Sequence, residues 1–173
     1  RRRRRLSSFT AVALVIVFVT ASAVFFVWPV SNRPERVDAI VSLDGPDESS
    51  RESVAISLAE EGYAPVLIFS QGNYRSTPCP KVPHILVVCF WPRPARTAGE
   101  VEFAARYARS HGYRSLLMVP GRAQTTRARL LLRRCFSGRI VVVPAGAQLT
   151  HLPFEVFYEW AATAKALLID RSC

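Results

Sequence analysis

Hydropathy divides the chain in two. Residues 6–30 contain no charged side chain and are mostly apolar. As a helix, those 25 residues would reach roughly 37 Å at 1.5 Å per residue, enough to cross a hydrocarbon core of about 30 Å with some tilt. Beyond Pro29 the pattern changes to short apolar blocks separated by amphipathic stretches. Residues 39–43, 66–69, 85–89, 115–119 and 139–143 are continuous or nearly continuous apolar runs, the signature of strands buried on both faces.

Helical periods lie between these runs. Ser49-Ser50-Arg51-Glu52 has capping-box spacing and predicts a helix from about Ser50 to Glu61, closed by Gly62. Residues 97–111 place Val101, Ala104, Ala105 and Ala108 on one face and stop at Gly112. Residues 125–136 do the same with Ala128, Leu131, Leu132 and Cys135, and Pro153 opens a last helix reaching about Leu168. Residues 70–84 hold Gly72, Pro78, Pro80 and Pro83 without a helical period and predict a long loop. Strands alternating with helices predict an α/β domain of three layers around a mostly parallel five-stranded sheet. The expected organisation is a basic tail (1–5), one transmembrane helix (6–30), a short linker with Pro34 (31–36) and a single domain (37–173).

Charge adds a direction. Of the net charge of +10, five positives are Arg1 to Arg5, and the remainder carries 18 Lys+Arg against 13 Asp+Glu. Arginines beside an apolar span stay on the cytoplasmic side, so the expected topology is a single pass through the plasma membrane with the domain outside. Trp28 then suits the outer aromatic belt. The rival reading is a cleaved signal peptide, with Ala21-Ser22-Ala23 as the peptidase site, although apolarity continues from Val24 to Trp28. Both readings export the domain. The high pI is largely a topology signal, so the expected partner is the lipid bilayer rather than nucleic acid.

Cys79, Cys89, Cys135 and Cys173 all follow the span, and four cysteines in an oxidising compartment suggest two disulfides. Cys89 closes a strand at its carboxyl end, whereas Cys135 and Cys173 follow helix carboxyl ends at the opposite edge. A five-residue strand separates those edges by roughly 17 Å, too far for a bridge. Cys79–Cys89 and Cys135–Cys173 are the expected pairs. No Cys-x-x-Cys or zinc spacing occurs, and no cofactor is indicated.

The order of motifs resembles the YdcF-like family of bacterial envelope proteins, over residues 37–143. The resemblance rests on Leu43-Asp44-Gly45 after a strand, a helix beginning near Arg51, Gly62-Tyr63-Ala64-Pro65, and Phe69-Ser70-Gln71-Gly72. It continues with Arg96-Thr97-Ala98-Gly99-Glu100 and Arg127-Ala128; the stretch from Glu159-Trp160 through Lys165 to Cys173 resembles members with four cysteines. It implies a Rossmann-like fold behind a membrane segment and a role in envelope biogenesis or barrier function. Two departures stand out. The first glycine-rich turn is Asp44-Gly45-Pro46, and Gln124 occupies the position where the family usually has a histidine. Gln can hydrogen-bond a ligand but cannot shuttle a proton, so catalysis through that position is lost.

A parallel sheet binds ligands outside its strand carboxyl ends, which selects Asp44, Gly45, Ser70, Gly72, Arg96, Thr97, Glu100, Arg122, Gln124 and Arg127 as the candidate site. Arg93, Arg96, Arg122 and Arg127 are expected to converge there as a basic edge suited to phosphate or carboxylate. Each residue also has a plainer explanation. Thr97 and Glu100 can form a capping box; Arg127 can share a solvated face with Arg129, Arg133 and Arg134. Asp44, Asp47 and Glu48 can be a solvated turn rather than a cation site, and Ser70 lacks the glycines of a nucleophile elbow. His84, His111 and His151 look non-catalytic, and Glu155, Glu159 and Lys165 read as the polar face of the last helix. Three functions follow: binding of a small anionic ligand, hydrolysis or transfer on an envelope precursor with Asp44 or Glu100 as base, and a ligand-free scaffold.

Overall fold

A computed structural model of the chain describes residues 2–45, 48–72, 78–146, 152–170 and 173. Helix α1 (Arg2–Ser22) runs into a π-helical turn (Ala23–Val27), and Phe9–Val27 is long and apolar enough to cross a membrane. After Trp28 come β1 (Ala39–Ser42), α2 (Glu48–Glu60), β2 (Val66–Ser70), β3 (Leu86–Phe90) and α3 (Thr97–Ser110). Then follow β4 (Ser115–Val119), α4 (Thr125–Cys135), β5 (Arg139–Val142) and α5 (Leu152–Leu168).

The five strands form one sheet in the order β3-β2-β1-β4-β5, with every pairing parallel. Side chains alternate across β1. Ala39 and Val41 enter one core with Val101, Ala104, Ala105 and Ala108 of α3 and Ala128, Leu131 and Leu132 of α4. Ile40, with Leu67 and Leu117 in register beside it, enters the other core under Ala55, Leu58 and Ala59 of α2. Both faces of β1, β2 and β4 are therefore buried, which is why these strands read as unbroken apolar runs.

The start of the helix after β1 differs from the expected one. α2 begins at Glu48, so Ser49 and Ser50 lie inside the helix and the sequence Ser49-Ser50-Arg51-Glu52 does not cap it. The earlier start puts Arg51 one turn into the helix, from where its guanidinium reaches back to the Gly45 carbonyl.

Both disulfides have the expected pairing. Cys79–Cys89 ties the long loop to the end of β3, with Cα atoms 5.9 Å apart. Cys135–Cys173, with Cα atoms 5.0 Å apart, anchors the segment after α5 to the end of α4.

The apolar amino-terminal segment packs on the domain. Phe26 is 1% exposed and meets Trp160 of α5 edge-on at 5.3 Å. Trp160 Nε1 donates to Ser22 Oγ at 2.9 Å, and Thr126 at the start of α4 donates its hydroxyl to the Phe25 carbonyl at 2.5 Å.

Candidate functional site

Strand order reverses between β1 and β4: β2 and β3 lie on one side, β4 and β5 on the other. Loops leaving two such strands diverge and open a crevice outside their carboxyl ends. Here the crevice is a cavity of about 230 Å³. The structure gathers Asp44, Gly45, Gly72, Arg96, Thr97, Glu100, Arg122, Gln124 and Arg127 around it. Ser70 is buried beneath and does not line it.

Glu100 is the floor. It sits one turn into α3, fully buried, with its Oε1 accepting the Asp44 N–H at 2.6 Å. Desolvation pushes its carboxyl up to about 7, and the Asp44 charge adds to the rise. The Asp44 N–H, the Ser70 hydroxyl and the Arg51 charge oppose it. Glu100 therefore ties α3 to the β1 turn instead of closing a capping box. The N-cap of α3 is Arg96 in extended conformation, without a side-chain cap bond, since a guanidinium has no acceptor to offer the helix N–H groups; the Thr97 hydroxyl is engaged elsewhere.

That hydroxyl accepts a hydrogen bond from Gln124 Nε2 at 2.7 Å. The same amide reaches the Asp44 carbonyl at 3.5 Å, and its Oε1 accepts the Gly121 N–H at 3.3 Å. Gln124 lines the cavity, and both ends of its amide clamp the turns after β1, β3 and β4. A side chain with donor and acceptor ends suits a junction of three loops better than it suits an anion.

Of the four arginines expected to converge, Arg96, Arg122 and Arg127 line the cavity, and two of these three are already paired. Arg127, 8% exposed, is bound bidentately by Glu159, with Nε–Oε2 at 2.8 Å and Nη2–Oε1 at 2.7 Å. Desolvation alone would pull its pKa down, but the bonds and charge of Glu159 outweigh it and the net direction is up, so the guanidinium stays charged. Arg96 pairs with Asp170 at 3.0 Å, and Arg93 does not line the cavity. Arg122 remains. Its Nε is shielded from solvent and has no hydrogen-bond partner among the described residues.

Sequence reasoning missed Arg51, Phe26, Glu155, Tyr158 and Glu159 as contributors. Arg51 is 2% exposed and lines the cavity. Its position four residues before Ala55, and eight before Ala59, is the legible signal, since that stripe of α2 is the buried one. Two glycines admit it: a Cβ at Gly121 would stand 2.9 Å from its Nη1, and one at Gly45 would stand 3.1 Å away. Phe26, Glu155, Tyr158 and Glu159 also line the cavity. Glu159 is 4% exposed, so it belongs to the interior and not to a polar face of α5; only its charge was legible, not its partner.

Among the described residues no group of three or more His, Cys, Asp or Glu side chains could hold a metal ion. Asp47 and the Glu48 side chain lie outside the described residues, as does His151. His84 and His111 are exposed and away from the cavity; His111 Nδ1 lies 2.9 Å from the Tyr107 carbonyl at the end of α3. No model of a known protein family matches the chain, and no curated protein matches it.

Proposed function

We propose that this is a membrane-anchored envelope protein of YdcF-like type, whose cavity holds the phosphate or carboxylate group of a small ligand. The observation that carries this reading is Arg122. Arg122 lines the cavity and, among the described residues, takes part in no ion pair, unlike Arg96 and Arg127, so its charge is open to an acceptor held there. Planar N–H donors match the oxygens of phosphate and carboxylate. Arg51 adds a second positive charge to the lining.

The packing of Phe26 and the bond from Trp160 to Ser22 support retention of the apolar helix. Cleavage after Ala23 would remove Ser22 and loosen Phe26, exposing apolar wall. Two disulfides support an oxidising, extracytoplasmic location for the domain. With the amino terminus cytoplasmic, the anchor and the domain then lie on the sides that the arginine tract favours.

The raised pKa of Glu100 favours a second reading, hydrolysis or transfer on an envelope precursor. Glu100 would act as acid or base, and its bond to the Asp44 amide would orient it. The binding reading is preferred because that same bond gives Glu100 a structural task.

The test is calorimetric titration of the full chain, in detergent, with glycerol 3-phosphate. Saturable binding in the wild type and in Arg93→Ala, weakened roughly tenfold or more in Arg122→Ala, is the expected result. Equal binding by the Arg122→Ala variant would reject the site.

A further inference from the structure

Which way the cavity faces can be read from the path of the chain between the apolar helix and β1. The linker runs down the outer edge of β5. Near the carboxyl end of that strand, Asn32 donates its N–H to the Val142 carbonyl at 2.8 Å, and its Oδ1 accepts the Val142 N–H at 3.0 Å. At the amino end of the strand, Arg139 pairs with Glu35 and donates to the Arg36 carbonyl at 2.7 Å. Asp38 then bonds Ser115 and β1 begins. The chain therefore leaves the apolar helix at the carboxyl edge of the sheet, the edge that carries the cavity, and Phe26 of the π-helical turn is itself part of the cavity wall.

α5 reinforces this orientation. Its Phe157 and Trp160 stack on Phe18 at centroid distances of 6.1 and 5.8 Å. Phe18 lies nine positions before Val27, about 13 Å deeper along a helix axis. Side chains that stack on Phe18 share its depth. Phe154 and Phe157 are nevertheless 74% and 65% exposed, and an exposed aromatic face beside an apolar span at that depth belongs against the hydrocarbon of the bilayer. Tyr158 and Glu159, on the same turn of α5, line the cavity.

We infer that the cavity opens onto the bilayer and takes its ligand from the membrane plane: an amphiphile whose phosphate meets Arg122 and whose hydrocarbon chain lies along Phe154, Phe157 and the apolar helix. This rests on the anchored, anion-binding reading above and names its substrate class. A soluble phosphate ester carries the same headgroup chemistry but has nothing to occupy the aromatic face, so the two sources are separable by experiment.

The full chain is reconstituted into phosphatidylcholine nanodiscs containing a minor fraction of phosphatidate, and retained lipid is counted by native mass spectrometry. Glycerol 3-phosphate is titrated in parallel. The expected result is enrichment of phosphatidate over phosphatidylcholine, lowered roughly tenfold or more in Arg122→Ala. A Phe154→Ser, Phe157→Ser double variant should lose that enrichment yet titrate glycerol 3-phosphate as the wild type does, which also shows that it is folded. Binding of glycerol 3-phosphate without phosphatidate enrichment would overturn loading from the bilayer and leave the anion site standing. Absence of binding by both probes would overturn the anion site, and this inference with it.

Discussion

Glu100 and Arg122 face the same cavity with opposite histories: one carboxyl is fully bonded yet desolvated, and one guanidinium is shielded yet lacks a partner at Nε among the described residues. The Glu100 pKa lies at about 7 in the folded protein against 4.5 ordinarily. A raised carboxyl contributes stability that is complete below the unfolded value and is lost as pH rises through the folded one. The window is therefore 4.5 to about 7, and the loss is about 3 kcal/mol. Glu100→Gln keeps an acceptor for the Asp44 amide and removes the titration. Thermal unfolding should show the wild type losing stability relative to this variant across that window; parallel curves would contradict the burial of a titrating group. An anion beside Glu100 also favours its protonated form, so glycerol 3-phosphate should bind more weakly as pH rises through about 7. Glu100→Gln should flatten that profile, and an unchanged profile would separate Glu100 from the ligand.

At the scale of elements, α5 is held by one buried ion pair and one disulfide. Arg127 and Glu159 have side chains 10% and 6% exposed. Removing one partner of a buried pair costs about 3–5 kcal/mol, whereas replacing both with apolar residues is often neutral. Glu159→Ala should therefore be severely destabilising in a denaturant titration, and Arg127→Met with Glu159→Leu much less so; similar losses in both would mean that the charge is not buried. Opening Cys135–Cys173, which spans 38 residues, should cost about 4 kcal/mol in the chain-entropy model. Protease sensitivity confined to the segment after α4 would locate the effect. Most elements were legible because both faces of the central strands are buried and because α3 and α4 carry clean apolar stripes. The capping boxes misled. Ser, Thr and Glu near a helix start satisfy the same pattern whether they bond their own backbone or a neighbouring loop, and Thr97 and Glu100 do the latter.

The whole molecule orients a cavity by routing a chain. The parallel sheet and the disulfide pairing followed from local pattern and from the separation of sheet edges, so the location of the cavity at the strand carboxyl ends was legible in the sequence. Which arginines are already paired was not, because Glu159 and Asp170 reach Arg127 and Arg96 from an element far along the chain. Nor was the wall formed by Phe26, since an apolar residue within a candidate span gives no sign that it packs on a folded domain. If the apolar helix is retained, the mature protein should keep its amino-terminal segment. Intact mass from the membrane fraction checks this, and a product starting at Val24 would contradict the anchor. The most direct test of the central claim is mass spectrometry of the small molecules that leave the native membrane with the full chain. A phosphate- or carboxylate-bearing species should accompany the wild type and be absent from Arg122→Ala purified with both disulfides formed. A wild type carrying no such species, or a variant carrying the same one, would contradict the account.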